Sequence, residues 1–215
     1  MIIQYLPRLE KKRIVLASRS PRRVEILKLL RLPFQVSPSS FPETMDPRKF
    51  SSPPDYAMEN ARNKAADVLE RLRTGLSQTY DVDLVIGADT VVDIDGRVLE
   101  KPDSEVAAVE MLESLSGRRH LVHSGVSLYW KSLRGQWNCT TFSETTEVEM
   151  ASLGSSEIVA YVKTGEPMDK SGAYGIQGIG GSLVKSVHGC YFNVMGLPMH
   201  HLAKQLAQLC QREEF

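Results

Sequence analysis

Ser18, Ser20, Arg22 and Arg23 crowd into one short stretch, Leu16-Ala17-Ser18-Arg19-Ser20-Pro21-Arg22-Arg23. It joins an apolar strand, Arg13-Ile14-Val15-Leu16-Ala17, to an amphipathic helix expected to run to about Leu32. Ser20 suits the N-cap and Pro21 the first helical position. Two arginines in the first turn oppose the helix dipole, which favours acids there. An anion at the helix start removes that conflict, because free N–H groups, a hydroxyl and guanidinium forks together make a phosphate clamp. The plain alternative is a solvated basic helix start.

Asp89 is the sharpest single candidate for chemistry. It follows the apolar run Leu84-Val85-Ile86-Gly87-Ala88, which reads as a central strand buried on both faces and ending at Asp89-Thr90. An acid at that edge is held rigidly yet reaches a ligand, where it binds a divalent metal or takes a proton from water; otherwise it is a cap or turn acid. Glu43, in a long loop, offers a second carboxylate, although its spacing alone reads as solvent-exposed. Lys64 sits at the edge of a helical apolar face and either snorkels or points into a cleft. Lys101 in Glu100-Lys101-Pro102 is stiffened by its proline, and as a lone lysine reads as surface.

The glycine-dense run Met168 to Gly181 implies positive φ angles and close backbone approach, to a ligand or within a structural turn. It lacks the Gly-Lys-Ser/Thr ending of a Walker loop, and no helix follows it as in a dinucleotide fingerprint. Within it, Gln177 can both donate to and accept from one base edge. The five histidines form no ligand pattern, and His200-His201 reads as surface. No Gly-x-Ser-x-Gly elbow is present.

These groups need a scaffold. The chain has 215 residues, with 42% hydrophobic and 24% charged, which is the balance of a soluble globular protein, and residues 1–215 are enough for one sizeable domain or two small lobes around a cleft. Lys plus Arg equals Asp plus Glu at 26 each, so no global field draws nucleic acid or a membrane surface and any anion site is local. Aromatic residues do not interleave with a basic face, against single-strand binding. No apolar run approaches the roughly 20 residues of a membrane span. The N-terminus does not read as a signal peptide. Cys139, Cys190 and Cys210 fit neither a disulfide framework nor a zinc site, so the cytosol is expected.

Ser37 to Pro54 is a Pro- and Ser-rich connection or lid, followed by a helix from about Asp55 to Arg73 with Ala57, Ala61, Ala65, Val68 and Leu72 on one face. Val91 to Leu99 reads as a hairpin turning at Asp95-Gly96. A helix from Ser104 to Ser116 stops at Gly117, and His120 to Trp130 and Gln136 to Met150 read as long strands. Ser155 or Ser156 is expected to cap a short helix ending at Gly165. Ser182 to Val187 and Tyr191 to Val194 read as a second hairpin through His188-Gly189, and Pro198 opens a last helix with Leu202, Leu206 and Leu209. Without strict βαβ alternation, the sheet is expected to be mixed and long.

The ordered set of motifs resembles the Maf family of nucleoside triphosphate pyrophosphatases. It comprises residues 16–23, Glu43, Lys64, Gly-Ala-Asp-Thr at 87–90, Glu-Lys-Pro at 100–102, Leu-Ser-Gly at 115–117, residues 166–178 and Val-Met-Gly-Leu-Pro at 194–198. Each motif is weak alone; their order across Arg13 to Leu209 is specific. The extended N-terminus is also similar to the Maf portion of the acetylserotonin methyltransferase-like proteins of animals. The resemblance implies an elongated α/β body with a strongly twisted mixed sheet, surrounding helices and a deep cleft between two lobes. It implies Mg²⁺- or Mn²⁺-dependent cleavage between the α and β phosphates of a nucleoside triphosphate. Asp89 would accept the proton of the attacking water, and Glu43 with Asp89 would hold the metal. Ser18, Arg22, Arg23, Lys64 and Lys101 would surround the triphosphate. Arg22, Thr90 and Gln177 match the branch acting on dTTP and UTP, including modified uridine triphosphates, whereas the branch favouring 7-methyl-GTP carries Trp, Gln and Glu. Ser171 departs from the Ala of many members. Two other readings stand beside this one: a pyrophosphatase for 7-methyl-GTP or another modified nucleotide, and a catalytically silent nucleotide sensor. A homodimer is left open.

Overall fold

A computed structural model describes residues 1–74, 81–212 and 215. After a short N-terminal helical segment that includes α1 (Leu6–Leu9), the chain forms β1 (Ile14–Leu16), α2 (Pro21–Leu29), β2 (Phe34–Val36) and the long α3 (Pro53–Thr74). Next come β3 (Leu84–Ile94), β4 (Arg97–Leu99), α4 (Glu105–Leu115), β5 (Arg119–Lys131) and β6 (Trp137–Met150). The last part contains α5 (Ser155–Val162), β7 (Val184–His188), α6 (Tyr191–Met195) and α7 (Met199–Gln211). The expected mixed sheet is present: seven strands run β2-β1-β3-β5-β6-β7, with β4 also on β3. β1 is parallel to β2 and β3, and the remaining pairings are antiparallel.

The central strand corrects the sequence reading. β3 does not end at Asp89-Thr90 but continues to Ile94. β5 pairs with it from Leu84 to Asp93 along one edge. On the other edge β1 pairs with residues 84–86 and β4 with residues 92–94. Between them β3 has no strand partner on that side among the described residues. Asp89 is therefore reachable because a neighbouring strand is interrupted, not because its own strand stops.

Alternation along β3 then sorts the side chains. Val85 and Val91 face α3, in clusters with Ala65, Val68 and Leu69 and with Tyr56 and Ala57. Leu84, Ile86 and Ala88 enter the other face, a core built with Ile26 and Leu27 of α2 and Leu202 and Leu206 of α7. Further along that face, Val92 and Ile94 enter a separate core with Leu112 and Leu115 of α4 and Ile158 and Tyr161 of α5. One strand thus serves two cores, and the cleft lies between them.

Other boundaries also moved. α2 stops at Leu29, and Arg31 turns the chain with φ 54°. Gly154, rather than Ser155 or Ser156, precedes α5: its N–H donates to Glu157 Oε2 at 2.7 Å, and the helix ends at Val162. The second expected hairpin is wrong. β7 pairs with β6, and Tyr191–Met195 is a helical turn. Short apolar runs do not distinguish strand from buried helix. Here the helix lets Phe192 and Met195 pack on the first core while Val194 reaches the second. It also buries Asn193, whose Nδ2 donates to Val122 O at 2.9 Å and Thr146 Oγ1 at 3.0 Å. His201 is half-buried against Glu144, with Nδ1 2.8 Å from Oε2, rather than free on the surface.

Candidate active site

A cavity of about 730 Å³ occupies the cleft, within the size range of small-molecule sites. Ser18, Arg22, Arg23, Glu43, Lys64, Asp89, Thr90 and Lys101 all line it, although they come from five separated parts of the sequence. Six cationic and four acidic side chains face this space, so a neutral chain carries a locally positive site.

Asp89 is held from α3. Lys64 Nζ donates to Asp89 Oδ1 at 2.7 Å, and Asn60 Nδ2 donates to Oδ2 at 3.1 Å. Asn60 and Lys64 lie one helical turn apart, hence on one face of the helix. The helix comes close because glycines clear its path. A Cβ on Gly87 would lie 2.2 Å from Ala61 O, and one on Gly125, the residue paired with Asp89 across the ladder, 2.3 Å from Ala57 O. Asn60 was not anticipated from sequence. Its signal was a polar residue at helical spacing from Lys64 beside the alanine stripe.

Lys64 is buried and bridges two acids, its Nζ also lying 2.8 Å from Glu43 Oε2. Glu43 is half-exposed, as its loop position suggested, but it faces the cavity. Burial pushes the Glu43 carboxyl upward, and attraction and hydrogen bonding by Lys64, with help from Lys101 and Arg23, outweigh this and leave it below the usual glutamate value.

The other side of the site is built by α2. Ser20 precedes the helix and Pro21 opens it, but the Ser20 side chain makes no cap bond, and no acid lies in the first turn. Ser18 Oγ instead accepts from Ser20 N at 3.2 Å and Arg23 Nη1 at 3.0 Å. Arg23 also donates from Nε to Gly196 O at 2.8 Å and from Nη2 to Thr90 Oγ1 at 3.2 Å. Burial lowers its pKa, Asp89 partly offsets that, and Arg22 lowers it further. A guanidinium nevertheless stays charged in a protein. Arg23 is therefore a buried, fixed cation whose hydrogen bonds go mostly to neutral groups, and a bound anion would stabilise it.

Arg22 meets a partner that sequence reasoning missed: its Nη1 lies 3.1 Å from Asp169 Oδ2 across the cleft. Lys101 is exposed at the cavity wall. Glu100, also in the lining, accepts from Tyr56 Oη at 2.6 Å. Ser171 Oγ donates to the Thr90 carbonyl at 2.8 Å, a bond an alanine there would lack. Gln177 is the exception among the expected residues. It is not in the cavity lining, and its Nε2 donates to Glu25 Oε2 at 3.1 Å on the outer side of α2.

Glu43 and Asp89 converge on the single point that Lys64 Nζ shares between them. Two carboxylates with no sulfur or imidazole suit a hard cation such as Mg²⁺ or Mn²⁺, which keeps waters and takes phosphate oxygens as further ligands. Among the described residues no group of three or more His, Cys, Asp or Glu is placed to hold a metal ion. The donor chemistry suits such a cation, but the point where the two carboxylates meet is held by the Lys64 ammonium, so a cation would have to use their remaining oxygens, with a phosphate completing its shell.

Residues 13–209 match the family described as Maf-like protein. A dTTP/UTP pyrophosphatase of Clostridium perfringens (strain 13 / Type A) is 45% identical over 197 residues, covering 90% of this chain and 95% of that protein. A dTTP/UTP pyrophosphatase of Thermococcus kodakarensis is 47% identical over 191 residues, covering 89% and 94%. A human protein named probable bifunctional dTTP/UTP pyrophosphatase/methyltransferase protein is 47% identical over 201 residues. That match covers 92% of this chain, which spans only 32% of the human protein. Among solved structures, a HAM1 protein from Coxiella burnetii overlaps 92% of this chain with 99% of its own, at TM-score 0.45 and 19% identity.

Proposed function

Because the chain belongs to the Maf family, we propose that it is a nucleoside triphosphate pyrophosphatase that hydrolyses dTTP and UTP to the monophosphate and diphosphate. The observation that carries this reading is the meeting of Asp89 with Arg22, Arg23, Lys64 and Lys101 in one cavity. A triphosphate needs several fixed cations, and its hydrolysis needs one carboxylate to handle a water proton.

Arg22, Arg23, Lys64 and Lys101 bind the phosphates, with Ser18 and the start of α2 supplying further donors. Arg23 is preorganised by Ser18, Thr90 and Gly196, so no reorganisation is needed when charge moves toward the departing diphosphate. Asp89, fixed by Asn60 and Lys64, accepts a proton from a water directed at the α phosphorus. A new P–O bond forms to that water as the bond from the α phosphorus to the β-phosphate oxygen breaks, and no covalent enzyme intermediate is required. Glu43 and Asp89 would hold Mg²⁺ or Mn²⁺, which supplies charge neutralisation for the phosphates. Asp169 competes with substrate for Arg22, so nucleotide entry exchanges one anionic partner for another. Among the described residues no helix is long and apolar enough to cross a membrane.

Incubation with dTTP, UTP, 7-methyl-GTP and the common triphosphates, with and without Mg²⁺, tests the reading through its products. Monophosphate and diphosphate from dTTP and UTP are expected. Nucleoside diphosphate with phosphate would exclude this bond cleavage, and preference for 7-methyl-GTP would exclude this substrate class.

A further inference from the structure

The Glu166 carboxylate accepts three hydrogen bonds, one from α5 and two from the glycine-rich loop whose residues 175 and 176 line the cavity. Oε1 accepts from Tyr161 Oη at 2.9 Å and from Gly180 N at 3.0 Å, and Oε2 accepts from Ile179 N at 3.2 Å. Tyr161 Oη itself accepts from Gly175 N at 3.1 Å. Residues 175–180 therefore form a clip with both ends tied to one carboxylate, the far end directly and the near end through a phenol.

The glycines fit the same arrangement. A Cβ on Gly178, where φ is +75°, would stand 2.7 Å from Glu166 Oε2. One on Gly180 would stand 2.3 Å from Tyr161 Oη and 2.9 Å from Glu166 Oε1. The backbone is wrapped around this carboxylate more tightly than any side chain permits. Glu166 lies behind the wall, whereas Gly175 and Ile176 of the clip line the cavity and Gln177 follows them directly. Gln177 reaches α2 at Glu25, two residues beyond Arg23.

We propose that Glu166 is a positioning residue for nucleotide selection: through its clip it fixes the Gly175-Ile176 wall of the cavity, against which a base is discriminated. This rests on the pyrimidine triphosphate reading of the cavity. The physical basis is that discrimination between bases needs rigidly placed polar groups and walls, because a wall that yields accepts either base. Glu166 itself touches no substrate.

Glu166→Gln keeps the size of the side chain but turns one end into an N–H donor facing a backbone N–H donor. Tyr161→Phe removes only the hydroxyl that ties Gly175. Two readouts are taken for both variants and the wild-type protein: residue-resolved amide exchange, and kcat/KM for dTTP and dGTP. In Glu166→Gln the Ile179 and Gly180 amides are expected to exchange about tenfold faster, with the preference for dTTP over dGTP falling about tenfold. In Tyr161→Phe the faster amide is Gly175, and the preference falls by a smaller factor. Unchanged exchange would overturn the clip. Faster exchange with the preference intact would overturn the role in selection and leave Glu166 merely structural. If Glu166→Gln fails to fold, Tyr161→Phe decides alone on the same two readouts. A wild-type protein that turns over neither nucleotide would overturn the pyrophosphatase reading instead; exchange would still judge the clip, and the ratio of Kd values for dTTP and dGTP would judge selection.

Discussion

Asp89 was legible in the sequence as an acid beside an apolar run, and Lys64 as a lysine at the edge of an alanine face. Their contact was not legible, because it depends on how α3 lies across the sheet. The structure makes them a buried pair at 2.7 Å, each side chain about nine-tenths shielded from water. Removing one partner strands the other. Lys64→Met should cost about 3–5 kcal/mol in urea unfolding at neutral pH, and adding Asp89→Asn to it should restore part of that loss. A Lys64→Met protein as stable as wild type would show that the pair is not held in the folded state. Asn60 escaped notice because a lone asparagine in a helix carries no chemical signature. Its Oδ1 is buried without a hydrogen-bond partner, a cost tolerated beside a donor that fixes Asp89.

The strands and helices were read well where periodicity was long and poorly where runs were short. α3, α4, β5, β6 and α7 were expected at nearly their observed positions. The end of β3 and the element at Tyr191 were misread, since both depend on which neighbours pair with them. Their placement also explains why Gly87 and Gly125 shape the site without lining the cavity. Both clear the path of α3. Gly125→Ala would drive a methyl group to 2.3 Å from the Ala57 carbonyl, forcing the helix off the sheet. Overpacking of this kind costs about 1–3 kcal/mol, and lifting α3 also withdraws Asn60 and Lys64 from Asp89. A lower denaturation midpoint together with a lower kcat is therefore expected. A fall in stability with kcat unchanged would mean that α3 does not set the geometry of Asp89.

The two-core arrangement on β3 makes the cleft a property of the fold as a whole, and no local sequence pattern announces a missing strand partner. The same arrangement buries a titratable group directly behind the cavity lining, in which Tyr174 takes part. His120 is enclosed beside Tyr174, its Nε2 2.8 Å from the phenol oxygen, and burial lowers its pKa to about 4. In the unfolded chain it takes up a proton near 6.5. The unfolded state therefore binds more protons between those values, and stability falls as pH drops from about 6.5 toward 4, by up to roughly 3 kcal/mol. His120→Gln should show a smaller stability difference between pH 7 and pH 4.5 than wild type; an equal difference would place the acid sensitivity elsewhere. For the molecule's function, the decisive quantity is the single-turnover rate of diphosphate release from dTTP by Asp89→Asn, with folding verified. A fall of about 10²-fold or more is expected, the scale of general-base catalysis, and a rate equal to that of wild type would contradict the assignment of Asp89 as the group that takes the water proton.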